Sequence, residues 1–201
     1  MKNEIHKKIR NIFKKNNGYA HTREIIQVGI HNIYLNKLLE NGEIERIKRG
    51  LYRWADMENS PDSTLPDVAM AMPNCVICLQ SALAYHNLTT YQPWEISVAI
   101  DRKSKVKAPD YPPVKIYYFT PKIFNTGIEI IKLGKHEVKI YCKEKTICDC
   151  IRYRDQIGKD IVKEMMLSYT KNHNRNLELL MKYADICGVT KQIEIYIEVL
   201  L

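Results

Sequence analysis

The sequence predicts an α+β fold: a small N-terminal domain of helices and a β-hairpin, then a mixed α/β domain closed by C-terminal helices. Three observations carry this. First, the stretch TREIIQVGIHNIYLNKLLENGEIERIKRGLYRW, Thr22 to Trp54, has two short helical patterns joined at Val28-Gly29, a stop at Asn41-Gly42, and two strand-like runs folded back at Arg49-Gly50. Second, apolar residues alternate with period two in runs between Ile96 and Cys142, with turn signals between them. Third, the chain beyond Glu144 returns to helical periodicity with helix start and stop residues at intervals. The order in the first stretch, helix, tight turn, helix and hairpin, is that of a winged helix-turn-helix.

The first helix is expected from about Asn3 to Asn16, with Ile5, Ile9, Ile12 and Phe13 as its apolar stripe and Asn17-Gly18 as its left-handed cap. Thr22 is the expected N-cap of the next helix, with Glu24 in the first turn and Ile25, Ile26 and Val28 as the buried face. The third helix, about His31 to Glu40, buries Leu35, Leu38 and Leu39. Its opposite face carries Ile33, Asn36, Lys37 and Glu40, with Asn32 and Tyr34 flanking. Asparagine and lysine suit base edges and phosphates, although a solvated face has the same composition. In the hairpin, Ile44 and Ile47 point inward with a kink between them, because three-residue spacing does not fit a regular strand. The candidate DNA contacts are Arg23, Asn32, Ile33, Asn36, Lys37, Arg46, Lys48, Arg49 and Arg53.

The expected boundaries are 1–55 for the winged helix, 56–65 for a polar, proline-bearing linker, and 66–201 for the α/β domain. In that domain DVAMAM reads as a short helix, CVICL as a buried strand and SALAYHNL as a helix. The alternating runs make several strands of one sheet. EKTICDCIRYRDQI is expected as one helix, followed by helices opened at Asp160, Asn174 and Thr190, about four in all. Within EKTICDCIRYRDQI, Arg152 lies one turn from Asp149, so a structural ion pair or a helix-capping role is expected for that carboxylate rather than a catalytic one.

Charge is distributed unevenly. Residues 1–55 hold 12 Lys/Arg against 5 Asp/Glu, whereas residues 56–201 hold 19 against 18. A basic small domain beside a near-neutral larger one is the electrostatic footprint of nucleic-acid binding. No apolar run is long enough to span a membrane, and no signal-peptide h-region is present, so a cytoplasmic protein with no membrane partner is expected. The six cysteines lack the paired spacing of a zinc site, and buried free thiols without metal or disulfide are expected. No GxSxG, HExxH or P-loop pattern occurs, and Glu95, Asp101 and Asp149 fall on separate elements, so no catalytic residue, enzyme activity or cofactor is assigned. The basic run 101–107 reads as a solvated loop.

Three stretches in this order, IERIKRGLYRW, CVICLQSALAYHNLT and EKTICDCIRYRDQIG, resemble the AbiEi family, antitoxins of bacterial abortive-infection, type IV toxin–antitoxin systems. The most specific parts are Arg49-Gly50-Leu51-Tyr52, Ser81-Ala82-Leu83, and Lys145-Thr146 with Asp149; residues 101–135 match only in general character. The resemblance implies a phage-defence antitoxin. Its winged helix would bind inverted repeats in double-stranded promoter DNA and repress its own operon. Its C-terminal domain would neutralise a cognate nucleotidyltransferase-type toxin, directly or functionally. Two alternatives stand beside this: a ligand-responsive transcription factor without a toxin partner, and a nucleic-acid-processing enzyme with a DNA-binding domain.

Overall fold

A computed structural model describes residues 2–56 and 64–200. The chain divides into two compact units. The first comprises residues 1–73, 106–113 and 132–137, and the second 74–105, 114–131 and 138–201.

The first unit opens with α1 (Lys2–Lys15), whose Ile9 and Phe13 are fully buried. Asn17 (φ 53) and Gly18 (φ 96) turn the chain out of the helix in the left-handed region, as the cap predicts. Next comes a strand absent from the sequence expectations, β1 (Tyr19–His21), followed by α2 (Thr22–Gln27) and α3 (Ile33–Glu40). The N-cap of α2 is His21 rather than Thr22: the Glu24 carboxylate accepts from the His21 backbone N–H at 2.6 Å. The wing is β2 (Ile44–Lys48) and β3 (Leu51–Trp54), and the three strands pair antiparallel in the order β1-β3-β2. The register slips between Arg46 and Lys48, and this bulge lets Ile44 and Ile47 both face inward. Trp54 closes the core edge-on to Phe13, ring centroids 5.2 Å apart.

One apolar assignment is corrected. Ile25 is fully buried, but Ile26 and Val28 are more than half exposed. A six-residue helix offers one turn of core-facing surface, and Ile25 with Ile30 from the turn beyond fills it.

Residues 57–63 of the expected linker lie outside the described residues. Beyond them, α4 (Thr64–Ala71) is grouped with the first unit. Asp67 on α4 accepts from the Tyr19 hydroxyl at 2.6 Å and from Arg53 at 2.7 Å. Burial raises the Asp67 carboxyl above its ordinary range, against the pull of those two donors.

The second unit contains β4 (Val76–Ile77), α5 (Leu79–Tyr85), β5 (Ile96–Asp101), β6 (Val114–Phe119), α6 (Pro121–Phe124), β7 (Ile128–Leu133) and β8 (His136–Tyr141), with the β7–β8 tip counted in the first unit. The sheet order is β6-β5-β4-β8-β7. Strand β4 runs antiparallel to β5 and parallel to β8, and β5 is parallel to β6. CVICL supplies only two strand residues, because the chain turns sharply at Cys78 and Leu79 (φ 46) into α5.

The helices α7 (Lys143–Arg152), α8 (Arg154–Ile157), α9 (Lys159–Lys171), α10 (Leu177–Cys187) and α11 (Thr190–Leu200) complete the chain. The one helix expected over 144–157 is broken at Tyr153, whose ring lies edge-on to Tyr117 and stacked on Phe119. Asn176, not Asn174, caps α10, accepting from the Leu179 N–H at 2.9 Å. Gly188 ends that helix in the left-handed conformation, φ 70.

Helix α7 is buried on every side from Glu144 to Ile151. Its centre is a wholly buried ion pair: the Lys145 Nζ lies 2.6 and 2.5 Å from the two Asp149 oxygens. Asp149 is thus in a structural ion pair, as expected, but with Lys145 in place of Arg152, which donates to the Cys187 carbonyl at 3.2 Å. The Lys145 ammonium also sits 4.1 Å from the Tyr141 ring centroid and 5.0 Å from that of Phe119. Burial pushes the Asp149 carboxyl up to about 6, against the lysine beside it.

Candidate nucleic-acid interface

The first unit presents α3 as its candidate recognition helix. Leu35 and Leu38 anchor it to the core formed by Ile9, Phe13, Ile25, Ile44 and Trp54. A stripe at helical spacing then faces water: Asn32, Ile33, Asn36, Lys37 and Glu40 are all exposed. Asn32 is the N-cap and spends no side-chain bond on capping. Ile33 is 50% exposed in the first turn. The Lys37 ammonium lies 5.9 Å from the Tyr34 ring centroid, which steadies it without neutralising it.

Arg23 is exposed in the first turn of α2, and Arg49 is exposed at the hairpin turn; both lack an ion-pair partner among the described residues. The turn that holds Arg49 out depends on Gly50 at φ 82, in the region glycine favours. The Gly50 carbonyl accepts from the Thr22 N–H at 3.0 Å and fixes the turn to the start of α2.

The other three wing cations are engaged within the unit. Arg53 is only 13% exposed and is held by Asp67 at 2.7 Å and by Glu45 at 2.5 Å. Lys48 donates to the Ala71 carbonyl at the end of α4. Arg46 remains half exposed and faces Asp110 at 3.6 Å. The Asp110 backbone N–H also donates to the Ile47 carbonyl at 3.0 Å, which occupies the free edge of β2 beside the bulge.

Of the nine expected contacts, the structure therefore places six (Arg23, Asn32, Ile33, Asn36, Lys37 and Arg49) on exposed surface without a charged partner. Arg46 shares a solvent-exposed pair, whereas Lys48 and Arg53 are turned to internal work. Sequence reasoning missed the exposed Ile26 and Val28 beside the turn. Their signal was available: Ile26 is one residue from Ile25, 100° around the helix, and a short helix cannot bury both.

The described residues hold no group of three or more His, Cys, Asp or Glu placed to bind a metal ion. The six cysteines are free and buried. No helix among the described residues is long and apolar enough to cross a membrane.

Comparison with known proteins agrees with this geometry. Residues 7–55 match the family model described as a transcriptional regulator, AbiEi antitoxin. No curated protein matches the chain. Among solved structures, the Rv2827c protein from Mycobacterium tuberculosis aligns with a TM-score of 0.55 at 10% identity, covering 94% of this chain and 78% of that one; a likeness at that identity speaks to fold alone. What the chain shares with the AbiEi antitoxin family of transcriptional regulators is therefore the similarity of its N-terminal segment, residues 7–55.

Proposed function

We propose that the protein is a DNA-binding antitoxin. It represses its own operon through the winged helix, and it counteracts a cognate nucleotidyltransferase-type toxin through the unit built around α7. The observation that carries the first half is the exposed, uncommitted stripe of α3 within a segment of the AbiEi regulator family. In a winged helix the second helix of the pair enters the major groove and places its N-terminal residues on base edges, while cations at its flanks meet phosphates. Asn32, Ile33 and Asn36 take the base-reading positions; Arg23 and Lys37 take phosphate positions, Arg49 at the wing meets phosphate or the minor groove, and Arg46 joins them when it exchanges Asp110 for phosphate. The excess of Lys/Arg over Asp/Glu in residues 1–55 supplies the long-range attraction to double-stranded DNA.

The second half is supported by the near balance of charge over residues 56–201, which gives that region little general affinity for nucleic acid and suits it to a protein partner. The test is a pair of assays with full-length protein. One measures a reporter driven by the protein's own promoter; the other measures growth with the neighbouring toxin gene induced. Repression together with rescue is expected. Repression without rescue would identify a transcription factor with no toxin partner, and rescue without repression would leave the winged helix without its proposed role.

A further inference from the structure

The exposed stripe of α3 carries a chemical preference among bases. Two of its members in the N-terminal half of the helix, Asn32 and Asn36, hold carboxamides with no hydrogen-bond partner among the described residues. A carboxamide offers one acceptor and one donor side by side, which matches the donor and acceptor that adenine shows in the major groove. Guanine shows two acceptors and calls for a fork of donors, which arginine provides. Helix α3 contains no arginine, and its one lysine, Lys37, lies over the Tyr34 ring. Between the two asparagines stands Ile33, an aliphatic side chain left half exposed where the core does not need it. Among base edges in the major groove, the 5-methyl group of thymine is the apolar surface it can cover.

A second observation comes from the other groove. Arg49, exposed at the tip of the wing with no ion-pair partner among the described residues, is free to enter the minor groove. Arginine is drawn to the narrow, strongly negative minor groove of A-tracts.

We infer that the operator half-site is read as adenine–thymine steps, with Asn32 and Asn36 on adenine edges and Ile33 on a thymine methyl. The inference rests on the DNA-binding function proposed above and adds which bases that site takes.

The test uses the full chain. Binding sites are first selected from a random duplex pool by mobility shift. The selected duplex is then compared with one in which uracil replaces thymine, a change that removes only the 5-methyl group. An A·T core is expected in the selected site. Uracil replacement at the contacted position should weaken wild-type binding about fourfold, and Ile33→Ala should bind the two duplexes equally. Asn36→Ala should lose about five- to a hundredfold on the selected site and little on random duplex. The uracil comparison uses the unaltered protein, so it does not depend on how any variant folds. A G·C-centred site, or equal wild-type affinity for thymine and uracil duplexes, would overturn the inference. Salt-sensitive binding with no base preference would overturn it too, while leaving DNA binding intact. Failure to bind any duplex would instead overturn the DNA-binding function, and the inference would fall with it.

Discussion

The contrast between Arg49 and Arg53 shows how little residue type says about the work a cation does. Four residues apart in one hairpin, they are equally plausible phosphate ligands in the sequence. Arg53 is nonetheless enclosed by Asp67 and Glu45, and Asp67 lies on α4, well beyond the hairpin in sequence, so no local pattern links the two. Arg53→Ala leaves the buried Asp67 with the Tyr19 hydroxyl as its remaining donor. It should cost about 2 kcal/mol of stability in urea titration and leave the salt dependence of DNA binding almost unchanged. Arg49→Ala should do the reverse: stability within about 0.5 kcal/mol of wild type, and the slope of log affinity against log salt reduced by about one unit. The same logic applies to Lys145 and Asp149. Removing either partner strands a charge in a site with no exposure and should cost about 3–5 kcal/mol. The doubly apolar variant, Lys145→Met with Asp149→Leu, should recover much of that loss, because the desolvation cost of both charges disappears with them. A double-mutant cycle in urea measures this, and additive losses would contradict it.

At the scale of elements, the parts written in local periodicity were legible in the sequence and the parts fixed by distant partners were not. The stripe of α1, its Asn17-Gly18 cap, the kink in the wing and the Gly188 cap all follow from residue order and are present. Strand β1 was hidden, because Tyr-Ala-His is too short to show period two and exists through its pairing with β3. The break at Tyr153 was equally hidden, since the rings it meets come from β6.

Gly127, between α6 and β7, shows a tertiary constraint on one position. Its φ is +71, and a Cβ there would lie 2.6 Å from that of Lys145. Gly127→Ala should therefore lower the urea midpoint by the equivalent of about 1–3 kcal/mol, more than an alanine in an open turn.

His86, at the end of α5, hydrogen-bonds the Tyr141 carbonyl of β8 through Nε2 at 2.7 Å. Burial pushes its pKa below the ordinary value. The native state then binds fewer protons than the unfolded chain, so the His86 contribution is present above about pH 6.5, the unfolded value, and is lost as the pH falls through the depressed folded value. Urea midpoints measured between pH 7.5 and 5.5 should fall more steeply for wild type than for His86→Gln. Parallel profiles would show that His86 titrates alike in both states.

For the whole molecule, the grouping of α4 with the first unit changes what counts as the DNA-binding module. A cut at the polar stretch removes Asp67, and with it a partner of both Tyr19 and Arg53. It also removes residues 106–113, which supply the Asp110 bond to the edge of the wing. A fragment of residues 1–58 should accordingly show a lower melting midpoint by circular dichroism than the same segment within the full chain, and a fragment of 1–73 should regain part of the difference. Equal midpoints for the two fragments would mean that α4 contributes nothing to the module.

Sequence-selective binding of DNA by the exposed stripe of α3 is the property on which the proposed repressor function depends. The deciding measurement is a titration of full-length protein against its own promoter duplex and a scrambled duplex of the same composition, across a range of salt. Binding should be tighter to the promoter, with affinity on both duplexes falling as salt rises, at a slope of about three to four for the four cations available. Equal affinity for promoter and scrambled DNA at every salt concentration would contradict it.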